Sequence, residues 1–321
     1  MPNQLSSSQL EKIPDVIKYA TGKETISFEH IPIGVMNYKI LCITESDEKY
    51  IIRIYPHGRE GILKKELQII NRCSQIGIPV PNILTTSLSG PNIGFNYLVY
   101  PKIEGMMLSS YLNEIENPKI DYIGHQLLNI FKKISSLKIK NYGDLENGFN
   151  AYYTEWDRFV TESIKNGRDG LYKSNIIPRN IFLKVEDFIT SKLNNNIKPE
   201  SCLIWGDTSI DNILVNRTGE ISGIIDFESC LSGPSNCTIG YFIDTLNPKL
   251  KTHELLAGYL LDKSKVDNDE IYSFSLLRAY RLAEFISIPL PTGRQRDMLI
   301  DIFPGLKWVS DFLINTTGSE K

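Results

Sequence analysis

Two short segments, WGDTSIDNILV (205–215) and IIDFE (224–228), hold residue types at spacings suited to moving a phosphoryl group. Such a transfer needs cations on the phosphates, a carboxylate to orient and deprotonate the acceptor hydroxyl, and little other covalent chemistry. Asp207 follows an apolar run and Gly206, where a loop can present its carboxylate to a cleft. Asn212 comes five residues later at the start of the next apolar run, and Asp226 ends the strand-like run fourteen residues beyond it. A turn at Asn216 to Gly219 between the two runs brings Asp226 back beside Asn212. One carboxylate and one amide oxygen, completed by phosphate oxygens and water, suit Mg2+. A lone pair of Asp and Asn in a loop is more often a cap or turn. The linked set, an apolar strand, Gly-Asp, Asn at plus five, the NRTG turn and then apolar-DFE, outweighs that reading.

A second set lies nearer the N-terminus. Arg53, in KYIIRIYP, is a cation on a strand, and Glu66 follows it by thirteen residues on a helix candidate. A strand cation that addresses phosphates in fixed geometry needs an anchor, and a helix carboxylate supplies one. The competing readings are an outward-facing strand residue for Arg53 and a solvated one for Glu66.

The elements that must position these groups follow from periodicity. ISFEHIPI, YKILCITE and KYIIRIYP, separated by GVMN and SDEK, read as antiparallel strands with tight turns. Helical spacing is expected over 8–19 and over 60–76, where Leu63, Leu67, Ile70 and Cys73 share a face and Gly77 with Pro79 stops the helix. Further strands are expected near 82–85 and 97–101. Helices are expected over 122–137, 154–163, 253–261, 270–288 and 305–313. A strand-rich unit, residues 1–104, thus precedes a larger helical unit, 105–321, with a hinge at Val99 to Gly105. The class is α+β, with an N-terminal antiparallel sheet lobe and a helical C-terminal lobe.

Composition sets bounds. At 41% hydrophobic and 23% charged residues the chain can bury a substantial core. A formal net charge of -3 removes bulk attraction to nucleic acid as a default. Five scattered cysteines without a C-x-x-C spacing read as reduced thiols rather than zinc ligands. Without a basic-apolar leader or a long apolar run, the expectation is a cytoplasmic protein with no membrane partner. Oligomeric state is left open.

The segment around Asp207 resembles the catalytic core of the aminoglycoside phosphotransferase and choline kinase-like family of small-molecule kinases, which shares the protein-kinase-like two-lobed fold. The resemblance covers about residues 25–245 in blocks. It implies that Asp207 is the catalytic base and that Asn212 and Asp226 bind the metal. IGVMNYKI resembles the nucleotide-positioning loop, with Gly34 and Asn37 near the phosphates. Arg53 stands where protein kinases use lysine, and Glu66 is its acidic partner. GIPVP and NYLVYPKIEG resemble the stretch after the helix and the hinge, where the backbone of Tyr100 to Ile103 meets the purine edge. On the acceptor side the resemblance points to Asp144, Tyr152, Trp156 and Asp157, with Glu228, Glu270 and Glu284 as further candidates. Trp205 departs from the family's usual His. CLSGPSNCTIGYF lacks the family's Asp positions, leaving Asn236 or Asp244 to anchor the loop.

The function implied is an ATP- or GTP-dependent, Mg2+-requiring O-phosphotransferase acting on a small hydroxylated molecule. An aminoglycoside-like antibiotic is the first acceptor class, with a role in antibiotic resistance. A metabolic kinase for an amino sugar, sugar derivative or amino alcohol is the second reading, and a non-catalytic nucleotide-binding or interaction protein the third. The absence of G-x-G-x-x-G and H-R-D argues against a protein kinase.

Overall fold

The computed structural model describes residues 6–32, 36–147, 149–174, 179–193 and 199–284. The expected helix over 305–313 and the loop residue Gly34 lie outside these.

Two helices, α1 (Ser7–Leu10) and α2 (Ile13–Thr21), replace the single expected one, with Pro14 at the start of the second. The strands β1 (Thr25–Ile31), β2 (Tyr38–Thr44) and β3 (Lys49–Tyr55) form an antiparallel meander. Helix α3 (Glu60–Gln75) follows, and β4 (Thr85–Thr86) and β5 (Asn96–Pro101) complete a sheet in the order β1-β2-β3-β5-β4. One face is covered by Ile13, Val16 and Ile17 of α2, packed on Ile40, Ile52 and Val99. The other receives Leu63 of α3 against Ile51, Tyr55, Leu98 and Tyr100. Covered on both faces, β3 is buried along nearly its whole length.

The apolar stripe of α3 is turned from the expected one. Leu67 is only half-buried, while Glu66 sits inside the face formed by Leu63, Ile70 and Cys73. Apolar spacing cannot reveal a carboxylate that is buried because a cation meets it. Ile69, Ile70 and Cys73 belong to the same core as Leu108, Leu127, Ile213 and Phe227, so α3 packs on both lobes.

Residues 102–105 follow β5. Gly105 has φ +137°, and a Cβ there would come within 2.7 Å of Ser222 Oγ and 3.0 Å of the Val215 carbonyl. Then come β6 (Met106–Met107), α4 (Leu108–Glu114) and α5 (Ile120–Ser135). A hairpin of β7 (Tyr142–Asn147) and β8 (Asn150–Tyr153) occupies a stretch for which strands were not expected. Next are α6 (Trp156–Ser174), α7 (Arg179–Leu193), β9 (Cys202–Ile204), a 3-10 turn at Ile210–Asn212, β10 (Ile213–Val215), β11 (Ile221–Ile224) and β12 (Leu231–Gly233). Helices α8 (Cys237–Ile243), α9 (Lys251–Ser264) and α10 (Asn268–Glu284) close the described chain. Strands β6 to β12 form two small sheets, β11-β10-β6 and β8-β7-β12-β9, and α10 packs against α6, α7 and α8.

Candidate active site

Asp207 stands on the loop between β9 and the 3-10 turn. Gly206 is needed there for space: a Cβ would lie 2.0 Å from the Ser229 carbonyl, so the loop is pressed onto the segment leading into β12. Asn212 donates through Nδ2 to Asp207 Oδ2 at 2.9 Å and to the Asp207 carbonyl at 3.1 Å. The β10–β11 pairing continues through Ile225 N to the Asn212 carbonyl at 2.9 Å, which sets Asp226 beside Asn212. Trp205 is fully buried, stacks on Phe227 at 5.8 Å between ring centroids, and donates Nε1 to the Asp226 carbonyl at 3.0 Å. The Trp therefore ties the Asp207 loop to the Asp226 loop.

Asp226 has φ +70°, the left-handed region that Asp tolerates better than most residues. Its side chain is gripped by cations. Arg53 Nη2 lies 2.7 Å from Oδ1, and Lys39 Nζ lies 3.6 Å from Oδ2. Arg53 is 3% exposed and also reaches Glu66 at 2.9 Å and Glu228 at 3.1 Å. Glu66 further accepts from Tyr55 OH and, at 3.1 Å, from Phe227 N. Glu228 accepts from Asn37 Nδ2 and, at 2.9 Å, from Arg59 Nη2. Three cations, Lys39, Arg53 and Arg59, thus face three carboxylates, Glu66, Asp226 and Glu228.

Burial alone would raise the Asp226 carboxyl, but Arg53 and Lys39 outweigh it and hold the group below the usual carboxylate range. Burial, reinforced by Asp226 and Glu228, pushes Glu66 up against the pull of Arg53. The sign of the pH effect follows from Asp226. Its stabilisation is fully present above the unfolded-chain value of about 3.9 and is lost as pH falls through the depressed folded value. Melting temperatures taken from pH 7 downward are expected to drop on the acid side, and less steeply in Asp226→Asn. An identical acid-side slope in that variant would contradict the assignment.

The donor set fits a hard divalent cation. Asn212 spends its amide N–H on Asp207, which leaves its oxygen to pair with the Asp226 carboxylate as ligands, and Asn37 Oδ1 is a further buried oxygen without a hydrogen-bond partner. Among the described residues no cluster of three or more His, Cys, Asp or Glu forms a metal cage. A two-ligand site that relies on phosphate oxygens and water does not need one.

The remaining expected residues divide. Asn37, Arg53, Glu66, Asp226 and Glu228 converge directly, and Asp207 pairs with Asn212 on the loop that Trp205 ties to Asp226. Tyr100 is buried on β5 with its side chain in the apolar cluster under α3, and Ile103 packs over Gly223 of β11. Asp144, on β7, pairs with Arg281 at 2.6 Å; the guanidinium outweighs what burial the carboxyl has and holds it low. Arg281 also lies over the Phe159 ring at 4.9 Å. Burial pushes the half-buried Glu284 carboxyl up, against the pull of Arg281. Trp156 does not face a pocket: it is 3% exposed, packed between Tyr142, Phe159 and Phe274, and closed over Gly233. A large apolar ring at a helix start gained more from the core than from a cleft. Asp157 sits half-exposed in the first turn of α6, and Glu270, at the start of α10, accepts from Asn236 at 3.3 Å. Neither touches the Asp207 cluster.

Four functional candidates escaped the sequence reading: Lys39, Arg59, Arg278 and Arg281. Lys39 is the cross-strand partner of Arg53, so the β2–β3 register alone puts both on one face. Arg278 Nη2 lies 3.7 Å from Asp207 Oδ1, although α10 is far from that loop in sequence.

The model of the phosphotransferase enzyme family (APH) matches residues 27–263. No curated protein sequence matches the chain. Among solved structures, the apo form of a thermostable mutant of aminoglycoside phosphotransferase APH(4)-Ia superposes with a TM-score of 0.70 at 13% identity, covering 96% of this chain and 100% of that one. A ternary complex of a thermostable mutant of the same protein with AMP-PNP and hygromycin B gives 0.69 at 13% identity over 97% and 100%. The GDP and kanamycin complex of APH(2")-IIia gives 0.64 at 16% identity over 94% and 98%. At these identities the likeness is one of fold.

Proposed function

The chain belongs to the phosphotransferase enzyme family, and on that premise we propose that it is an ATP- or GTP-dependent O-phosphotransferase for a small hydroxylated molecule. The observation that carries the reading is Arg53 held between Glu66 and Asp226, with Asp226 tied by Trp205 to the loop on which Asn212 fixes the Asp207 carboxylate. Five groups of the required types converge from four separate elements, which a binding scaffold would not need.

In the proposed reaction Arg53, Lys39 and Arg59 gather the charge of the donor phosphates. Asp207 orients the acceptor hydroxyl and takes its proton as the new O–P bond forms and the bond to the departing nucleoside diphosphate breaks. Asp226 and Asn212 would hold Mg2+, which would neutralise phosphate charge when bound. The cations already balance Asp226 and Glu228, so incoming phosphates must displace those carboxylates from part of the guanidinium surface. We place the lobe boundary at 104/105, supported by Gly105 and by β6 pairing with β10. The purine is assigned to the backbone of Tyr100 to Ile103. A cytoplasmic setting is consistent with five buried free thiols and with the lack, among the described residues, of a helix long and apolar enough to cross a membrane.

The neighbours' complexes contain aminoglycosides, which makes an antibiotic the first acceptor class to test. One observation favours the second, a metabolic sugar or amino alcohol. The described carboxylates Asp144 and Asp244 are each paired with an arginine, Arg281 and Arg278, which lessens their pull on a polycation. Phosphate transfer from ATP and from GTP should be measured across aminoglycosides, macrolides, amino sugars and amino alcohols. A product among the antibiotics supports the first class and one among the metabolites the second. No transfer together with no nucleotide binding overturns the phosphotransferase reading.

A further inference from the structure

Arg278 is 4% exposed and lies on α10, a helix with no part in the motifs described above. Its Nη1 donates to Asp244 Oδ2 at 2.7 Å, and its Nη2 faces Asp207 Oδ1 at 3.7 Å. Asp244, at the end of α8, is fully buried. The two oxygens of the Asp207 carboxylate are therefore addressed by different residues, Oδ2 by Asn212 on its own loop and Oδ1 by Arg278 of α10. The neighbouring acid Asp211 is turned to Ser109 instead. Asn236, the other residue considered for anchoring the loop, bonds to Glu270 and does not reach it.

A charge pair buried this deeply is a poor source of stability, since desolvation consumes most of the attraction, and apolar replacements often serve as well. Its location gives it another use. We propose that Arg278, braced by Asp244, is a positioning residue for Asp207, fixing the carboxylate so that it meets the acceptor hydroxyl in line with the phosphoryl group. This rests on the phosphotransferase reading. Arg278 does not touch the reacting atoms; it acts through Asp207. Asp244 neutralises the buried guanidinium and fixes the direction in which its Nη2 points, toward Asp207 Oδ1. Asn212 and Arg278 together restrict rotation of the Asp207 carboxylate, and a misplacement of about 1 Å in such a group costs on the order of a hundredfold in rate.

The test compares Arg278→Lys, Arg278→Met and the double variant Arg278→Met/Asp244→Leu, with water as the acceptor, so that no acceptor need be known. Hydrolysis of MgATP is followed for kcat and KM, and crystal structures of the wild type and the double variant show the Asp207 rotamer. Removing the guanidinium is expected to lower kcat by about ten- to a hundredfold with KM for MgATP close to that of the wild type. Arg278→Lys should recover part of the rate. In the double variant Asp207 should leave its bond to Asn212 or occupy more than one rotamer. The double variant removes both buried charges, so it tests the idea even if Arg278→Met fails to fold. A folded double variant with wild-type kcat and an unmoved Asp207 overturns the proposal. If the wild type hydrolyses neither ATP nor GTP, the Asp207 rotamer decides the positioning role by itself; if it also binds neither nucleotide, the phosphotransferase reading is what fails.

Discussion

Asp207→Ala is expected to lower turnover by about 10²- to 10⁴-fold, the range in which a positioned general base contributes. Nucleotide affinity, measured by titration calorimetry with the magnesium complex of ATP, should remain close to that of the wild type. The separation follows from the geometry. Asp207 bonds to Asn212 and faces Arg278, whereas the cations proposed to meet phosphates are gathered around Asp226 and Glu228. Truncating Asp207 removes the carboxylate proposed for the acceptor and leaves that cluster intact. Retained turnover in a folded Asp207→Ala protein would remove the residue from the mechanism.

Arg53→Ala is expected to damage stability as well as activity. The guanidinium is 3% exposed and touches three carboxylates, Glu66, Asp226 and Glu228. Breaking a buried pair by deleting one partner costs about 3–5 kcal/mol, because the other charge is left uncompensated. Here the acids keep only Lys39 and Arg59. Asp226 and Glu66 already feel the penalty of burial, and loss of Arg53 would drive both toward protonation. Chemical denaturation should show the drop, and nucleotide titration a weakened phosphate contact. Arg53→Lys should restore little of either, because an ammonium lacks the planar fork that spans several carboxylates. Wild-type stability together with wild-type nucleotide affinity would refute the role given to Arg53.

The part of the site that could be read in the sequence is the part encoded locally. Asp207 and Asn212 lie just before, and Asp226 just after, the adjoining strands β10 and β11, and a twenty-residue window contains them all. Glu66 was reachable because a strand cation calls for a helix acid at a suitable distance, although its burial inside an apolar stripe was not. Lys39 could have been found from the β2–β3 register, which needs no more than the turn at Ser46 to Lys49. Arg278 could not, since its meeting with Asp207 depends on how α8 and α10 pack. The fold shows the same division. Alternating strands and strongly amphipathic helices were legible. The β7–β8 hairpin was not, because its Gly- and Asn-rich sequence carries little alternation. Helix α7 spreads its apolar residues around the axis, with Leu183 exposed and Val185 and Ile189 buried, and so offers no clear stripe.

Helix α3 carries a consequence for control. Many kinases are switched by swinging the corresponding helix, which breaks or makes its ion pair with the strand cation. Here Ile69, Ile70 and Cys73 are set in the core of the larger lobe, and Glu66 also holds the amide of Phe227. Swinging the helix outward would expose two isoleucines at roughly 1.5–3 kcal/mol each and tear Glu66 from the Asp226 loop as well. For this enzyme, then, an outward swing of α3 is a costly way to reach an off state.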